Sequence, residues 1–179
     1  QFICNCYPYK VFTELMDKKD VPEMQLKMLN ARKTACTLTT VYLGMNKTKE
    51  ELGITDYSVF IAPDSDSDKQ YEAAQNYFSG YCIINCLNEI IPDCTPEGTS
   101  QLFLTTMTFG DVMKDVKPQD YKKFKTKVAE DMIETCEKAL NISIKPYIEE
   151  IEIALPPTFA RYLNTPLGTP YGYMLEKWD

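Results

Sequence analysis

The chain has no histidine among its 179 residues. That absence removes the usual base for activating a serine or cysteine nucleophile and a common nitrogen ligand for zinc. Glycine is scarce, at seven residues. None are grouped as Gly-x-Gly-x-x-Gly or as Gly-Lys-Ser/Thr, so neither a dinucleotide cradle nor a phosphate loop is written in this stretch. No apolar run approaches the roughly 18 residues that read as a membrane span, and no secretory leader is evident. Positive charge is in deficit: 19 Lys and Arg face 26 Asp and Glu, a net charge of −7. Nucleic-acid binding needs a clustered basic surface, and the one lysine-rich run, "KKFKTK" at 122–127, is followed within a turn by "EDMIE". It reads as a solvated helix face, and no nucleic-acid partner is expected.

The seven cysteines are irregularly spaced and form no Cys-x-x-Cys pair. They read as reduced thiols of a cytoplasmic protein rather than as a metal site. "DSDSD" at 64–68 lacks the Gly and Glu of a calcium loop and leads into a helix, so it reads as an acidic helix start. With 44% apolar residues, a chain of this length can bury a sizeable core.

Local patterns predict the elements. A short strand is expected at 2–5 and a helix from Pro8, which suits the first helical position. A second helix should start at "DVPE", capped by Asp20. The β-branched "TACTLTTVYLG" at 34–44 predicts a strand. "YSVFIA" at 57–62 is expected to pair with it. "SDKQ" at 67–70 reads as a capping box, 81–89 and 100–109 as strands. Pro118 should open the longest helix, whose stripe Tyr121, Phe124, Val128, Met132, Cys136 and Leu140 faces a core. "IEEIEIAL" at 148–155 alternates as an edge strand does. Regular βαβ units are missing. The expected fold is therefore α+β: an antiparallel or mixed sheet with helices on one face, as a single domain over 1–179.

Catalytic machinery is not legible in the residues themselves. The strands carry aromatic and threonine side chains, among them Tyr42, Phe60, Phe103, Thr105 and Met107. These either fill the core or wall an apolar cleft on one sheet face.

Three stretches, "ICNCYPYKVFTELM", "TTVYLGMNKTKEELGITDYSVFI" and "PPTFARYLNTPLGTPYGY", together resemble the flavin-dependent phytoene desaturase family. That family includes carotenoid desaturases, carotenoid isomerases and retinol saturases within the amine-oxidase-like flavoproteins. The resemblance implies the substrate-binding region of a larger oxidoreductase, cut from its Rossmann-type FAD-binding half at junctions near 1–7 and 164–179. It implies a long, apolar, unsaturated substrate and hydride exchange with flavin, or flavin-assisted isomerisation. FAD would belong to the full-length parent and not to this region alone, and the FAD-binding domain would be the partner in cis. Asn5, Tyr171, Gly172 and Tyr173 would lie near the flavin, with Arg161 bracing the loop and touching substrate beside the strand residues. A bared junction surface is expected to self-associate or to touch a membrane peripherally. A stand-alone lipid-binding module and a non-catalytic interaction domain are the rival readings.

Overall fold

The computed structural model describes residues 2–175. Five strands form one antiparallel sheet: β1 (Thr37–Met45), β2 (Ser58–Ile61), β3 (Cys82–Cys86), β4 (Ser100–Thr108) and β5 (Ile148–Ala154). Their spatial order is β2-β3-β4-β1-β5. The helices are α1 (Pro8–Lys10), which runs into a π-helical turn at Val11–Leu15, α2 (Glu23–Ala31), α3 (Ser67–Ala73), α4 (Tyr121–Leu140) and α5 (Pro156–Leu163). This is the α+β architecture expected from the pattern, with the sheet wholly antiparallel.

The core sits between one sheet face and α4. Val41 and Leu43 of β1, Leu102 and Leu104 of β4, and Cys82 and Ile84 of β3 are buried together with Val128, Met132 and Cys136 of α4. The stripe on α4 does as its spacing demands, with Tyr121, Phe124 and Leu140 packed at the margin of the same cluster. A side chain buried on α4 gains roughly 1.5–3 kcal/mol, so the helix is held by its apolar face and not by its lysines. Those lysines stay at the surface, and Lys127 pairs with Asp131 at 2.9 Å. Helix α4 ends at Asn141, which takes φ of 52°, a left-handed cap that Asn tolerates.

Several local expectations fail, each for a physical reason. Residues 2–5 form no strand; they pair with neither sheet edge, and Phe2 and Ile3 are exposed. Cys4 and Cys6 are exposed accordingly, while Cys82 and Cys86 share the buried side of β3. Helix α2 begins at Glu23 after Pro22, and Asp20 closes a separate 3-10 turn instead of capping it. The cap of α3 is Asp66, one residue before the predicted Ser67; its carboxylate accepts from the Asp68 and Lys69 N–H groups. Strand β2 does not join β1. It pairs with β3 at the far edge, because β1 is already flanked by β4 and β5. Strand β5 is the opposite edge, as its alternating pattern requires. Among the described residues no helix is long and apolar enough to cross a membrane.

Candidate functional site

Side chains alternate across a strand, so the residues between the core positions project from the second sheet face. Register places them in rows. Phe60 of β2 stands opposite Ile83 of β3, which stands opposite Thr105 of β4, which stands opposite Thr40 of β1. The adjacent row is Ser58, Asn85, Phe103 and Tyr42, ending at Glu152 on β5. Met107 lies two residues beyond Thr105 on the same side, opposite Leu38. The structure thus brings Tyr42, Phe60, Phe103, Thr105 and Met107 to one face. All five lie outside the buried core cluster, so filling that core is not what these side chains do.

This face is partly open. Phe60 is 65% and Tyr42 38% exposed, whereas Thr40 is buried. The Tyr42 and Phe103 rings meet edge to face with centroids 5.3 Å apart. Its polar groups are mostly turned on one another. The Thr40 and Thr105 hydroxyls are 3.1 Å apart, and Asn85 donates to the Ser58 hydroxyl at 3.0 Å. What is left is an apolar wall with hydroxyls at its centre and carboxylates, Glu150 and Glu152, only along its β5 edge. Such a wall suits a neutral, elongated, apolar ligand.

A second site forms at the C-terminal loop. Asn5, Tyr7, Thr165, Tyr171, Gly172 and Tyr173 line one cleft of about 340 Å³. Backbone pairing fixes it: Ala35 N–H donates to the Gly172 carbonyl at 2.9 Å and Met174 N–H to the Lys33 carbonyl at 2.9 Å. Tyr7 packs on Tyr173 at 5.1 Å, and the Arg32 guanidinium lies 5.2 Å over the same ring. Burial, then the hydrogen bond with Tyr173, pushes the Tyr7 phenol well above the ordinary tyrosine range. Tyr171 stays 67% exposed. Arg161 lies exposed in the last turn of α5, where a cation suits the helix dipole; it lines neither the sheet face nor this cleft.

At Gly172 an added Cβ would meet no described atom of this chain within 4 Å, and the backbone alone, at φ of +76°, calls for glycine. Close approach to the chain itself occurs at Gly168. A Cβ on it would come 2.9 Å from the Ala160 nitrogen and still nearer the Pro156 carbonyl oxygen, so the loop presses directly on α5. Sequence reasoning missed this, although a glycine one residue after "TPL" offered a signal for a tight return.

The donors of the loop cleft bear on whether it could hold a flavin. Among the described residues no lysine or arginine lines it, although Arg32 stacks on the Tyr173 ring, and α5 meets it at Leu163, with its negative dipole end. Neutral tyrosines and threonines suit the edge of a flat ring. They do not suit a pyrophosphate, which needs a helix N-terminus or a basic cradle. The described residues of this cleft therefore offer contacts for a flat ring but no cradle for the phosphates of FAD.

Compared with protein-family models and with curated proteins, the sequence matches none.

Proposed function

We propose that this chain is the substrate-binding part of a FAD-dependent oxidoreductase, acting on a long, apolar, unsaturated molecule. The observation that carries the reading is the second sheet face: aromatic and aliphatic side chains in register, half-buried except for the exposed Phe60 and Tyr42, with a central hydroxyl pair and, among the described residues, charge only along the β5 edge. The resemblance to the phytoene desaturase family supplies the chemistry, in which flavin exchanges a hydride with a substrate carbon or assists isomerisation. The role of these residues is to bind and orient. Phe60, Ile83, Phe103 and Tyr42 exclude water along the ligand. The Thr40–Thr105 pair gives the wall one polar point against which a substrate oxygen or double bond is aligned. FAD itself would be held by the FAD-binding domain in cis, because the tyrosine cleft lacks the means to hold its phosphates.

The test is direct binding. Farnesol, a linear unsaturated alcohol, is titrated against the wild-type chain and against Phe60→Asp, at the exposed β2 end of the wall, by calorimetry. Saturable binding is expected to the wild type and to be lost in the variant, at an unchanged melting temperature. Wild-type protein that shows no saturation overturns the reading. Free FAD, titrated the same way, should show no stoichiometric binding.

A further inference from the structure

Strand β5 leaves one of its two hydrogen-bonding edges open. It pairs with β1 alone and ends the sheet. In an antiparallel pair every second residue directs its N–H and C=O away from the neighbour. Among the described residues no other backbone segment bonds to 148–154. Glu149, Glu150, Ile151 and Glu152 are exposed in succession. Native edges are often blunted by lysine, proline or a covering segment, and 148–154 holds neither lysine nor proline. The opposite edge is less available: β2 is four residues long, and three of them are half-buried.

Register defines what a strand laid there would meet. Glu152 stands opposite Tyr42 and Glu150 opposite Gly44, so both carboxylates lie on the second sheet face. Gly44 leaves room for them: a Cβ on it would come 3.3 Å from the Glu150 Cβ. Ile151 stands opposite Leu43 of the core cluster, hence on the other face, yet it is 42% exposed. Among the described residues Glu149, Glu150 and Glu152 form no ion pair. Two copies of β5 joined antiparallel about Ile151 would set Glu150 of one against Glu152 of the other, and like charges directly opposite are destabilising. The edge thus rejects its own copy and other acidic strands. It admits a basic one.

We propose that the β5 edge is a strand-addition site, which takes an extended segment of a partner protein as a sixth strand. That segment alternates basic and aliphatic side chains. Its Lys or Arg residues meet Glu150 and Glu152 on the second face, and its aliphatic residues cover Ile151 on the other. Main-chain hydrogen bonds to β5 supply affinity, and the alternation supplies specificity. The site is independent of any ligand on the sheet face.

The probe is a short capped peptide in which lysine alternates with valine, labelled for fluorescence anisotropy and titrated with the full chain. Saturable binding is expected. The matching peptide of glutamate and valine should bind at least about ten-fold more weakly, the scale of two cross-strand charge pairs made or opposed. Glu150→Lys combined with Glu152→Lys should reverse that preference. Hydrogen exchange separates strand addition from loose attraction to an acidic surface: amides of 148–154 should gain protection at saturating peptide, while those of 58–61 stay unchanged. Binding that leaves 148–154 unprotected, or a preference that the double variant does not shift, overturns the proposal. A wild-type titration without saturation overturns it too. Protection of 148–154 that rises with protein concentration in the absence of peptide would make a second copy the occupant, and also overturns it. Should the double reversal melt early, Glu150→Gln with Glu152→Gln decides, with a loss of about three-fold or more in lysine-peptide affinity expected.

Discussion

The rings of Tyr7 and Tyr173 lie 5.1 Å apart, joining the first described helix to the last loop. Tyr173 also forms the bridge to Thr34 and lies under Arg32. Through its ring and its backbone this one residue ties the Tyr7 segment and the 32–34 segment to the last loop, while nearby Tyr171 is exposed. Tyr173→Ala should lower stability by about 2–4 kcal/mol, from lost burial and ring packing. Tyr171→Ala should stay within about 0.5 kcal/mol. Urea unfolding of both variants checks the contrast, and equal losses would show that the loop is not pinned where the structure places it.

Gly168→Ala should be the most damaging single methyl in the chain. Its Cβ would meet the backbone of Pro156 and Ala160, which cannot rotate aside as a side chain would. A loss of about 3 kcal/mol or more is expected, combining overpacking with the penalty of φ +73°. Gly172→Ala carries only the backbone penalty, about 1–2 kcal/mol. Melting temperatures of the pair separate steric from conformational cost.

Phe60→Ser should leave stability nearly unchanged and reduce association. The side chain is 65% exposed at the β2 end of an apolar row, on the edge of the sheet, where it favours contact with other apolar surface over folding. Light scattering at high concentration should show less self-association than wild type, and a dye that reports apolar surface should bind less. A variant that unfolds instead would place Phe60 in the core.

The thiols divide by burial, with the half-buried Cys94 between the two groups. Cys4 and Cys6 should react at once with a thiol reagent, and Cys36, Cys82, Cys86 and Cys136 only after unfolding. Burial pushes both Cys82 and Cys136 from an ordinary value near 9.0 up to about 12. The unfolded chain then releases protons above pH 9 that the folded chain keeps. Their contribution to stability is complete below pH 9 and is lost as pH rises from 9 toward 12. Cys136→Ala should flatten that decline by up to about 1.4 kcal/mol per pH unit, measured as urea midpoints between pH 8.5 and 10.5.

The legible part of the fold was what repeats locally. The α4 stripe, the alternation of 100–108 and the edge character of 148–154 each follow from one element's own period. Pairing partners were not legible, because they depend on which strand reaches β1 first and how many neighbours it can hold. Proximity in sequence favoured β2 beside β1; the register of nine residue pairs between β1 and β4 outweighs it. The face residues could be named from strand composition, since Phe60, Phe103 and Tyr42 sit at alternating positions. The contact of the Tyr71 and Phe109 rings could not, because it forms only after β3 and β4 have been paired. Gly168, whose neighbours come from α5, was passed over.

Strand β1 sits inside the sheet, yet both its neighbours are made later. During synthesis at about 5–20 residues per second, Thr37–Met45 leaves the ribosome seconds before β4, and later still comes β5. Through that interval its two hydrogen-bonding edges are open and its apolar side chains uncovered, with the wrong neighbour, β2, arriving first. A nascent chain of this topology is therefore vulnerable at its centre and not at its ends. A holdase that shelters this one segment until β4 emerges would be expected to raise the yield of native protein.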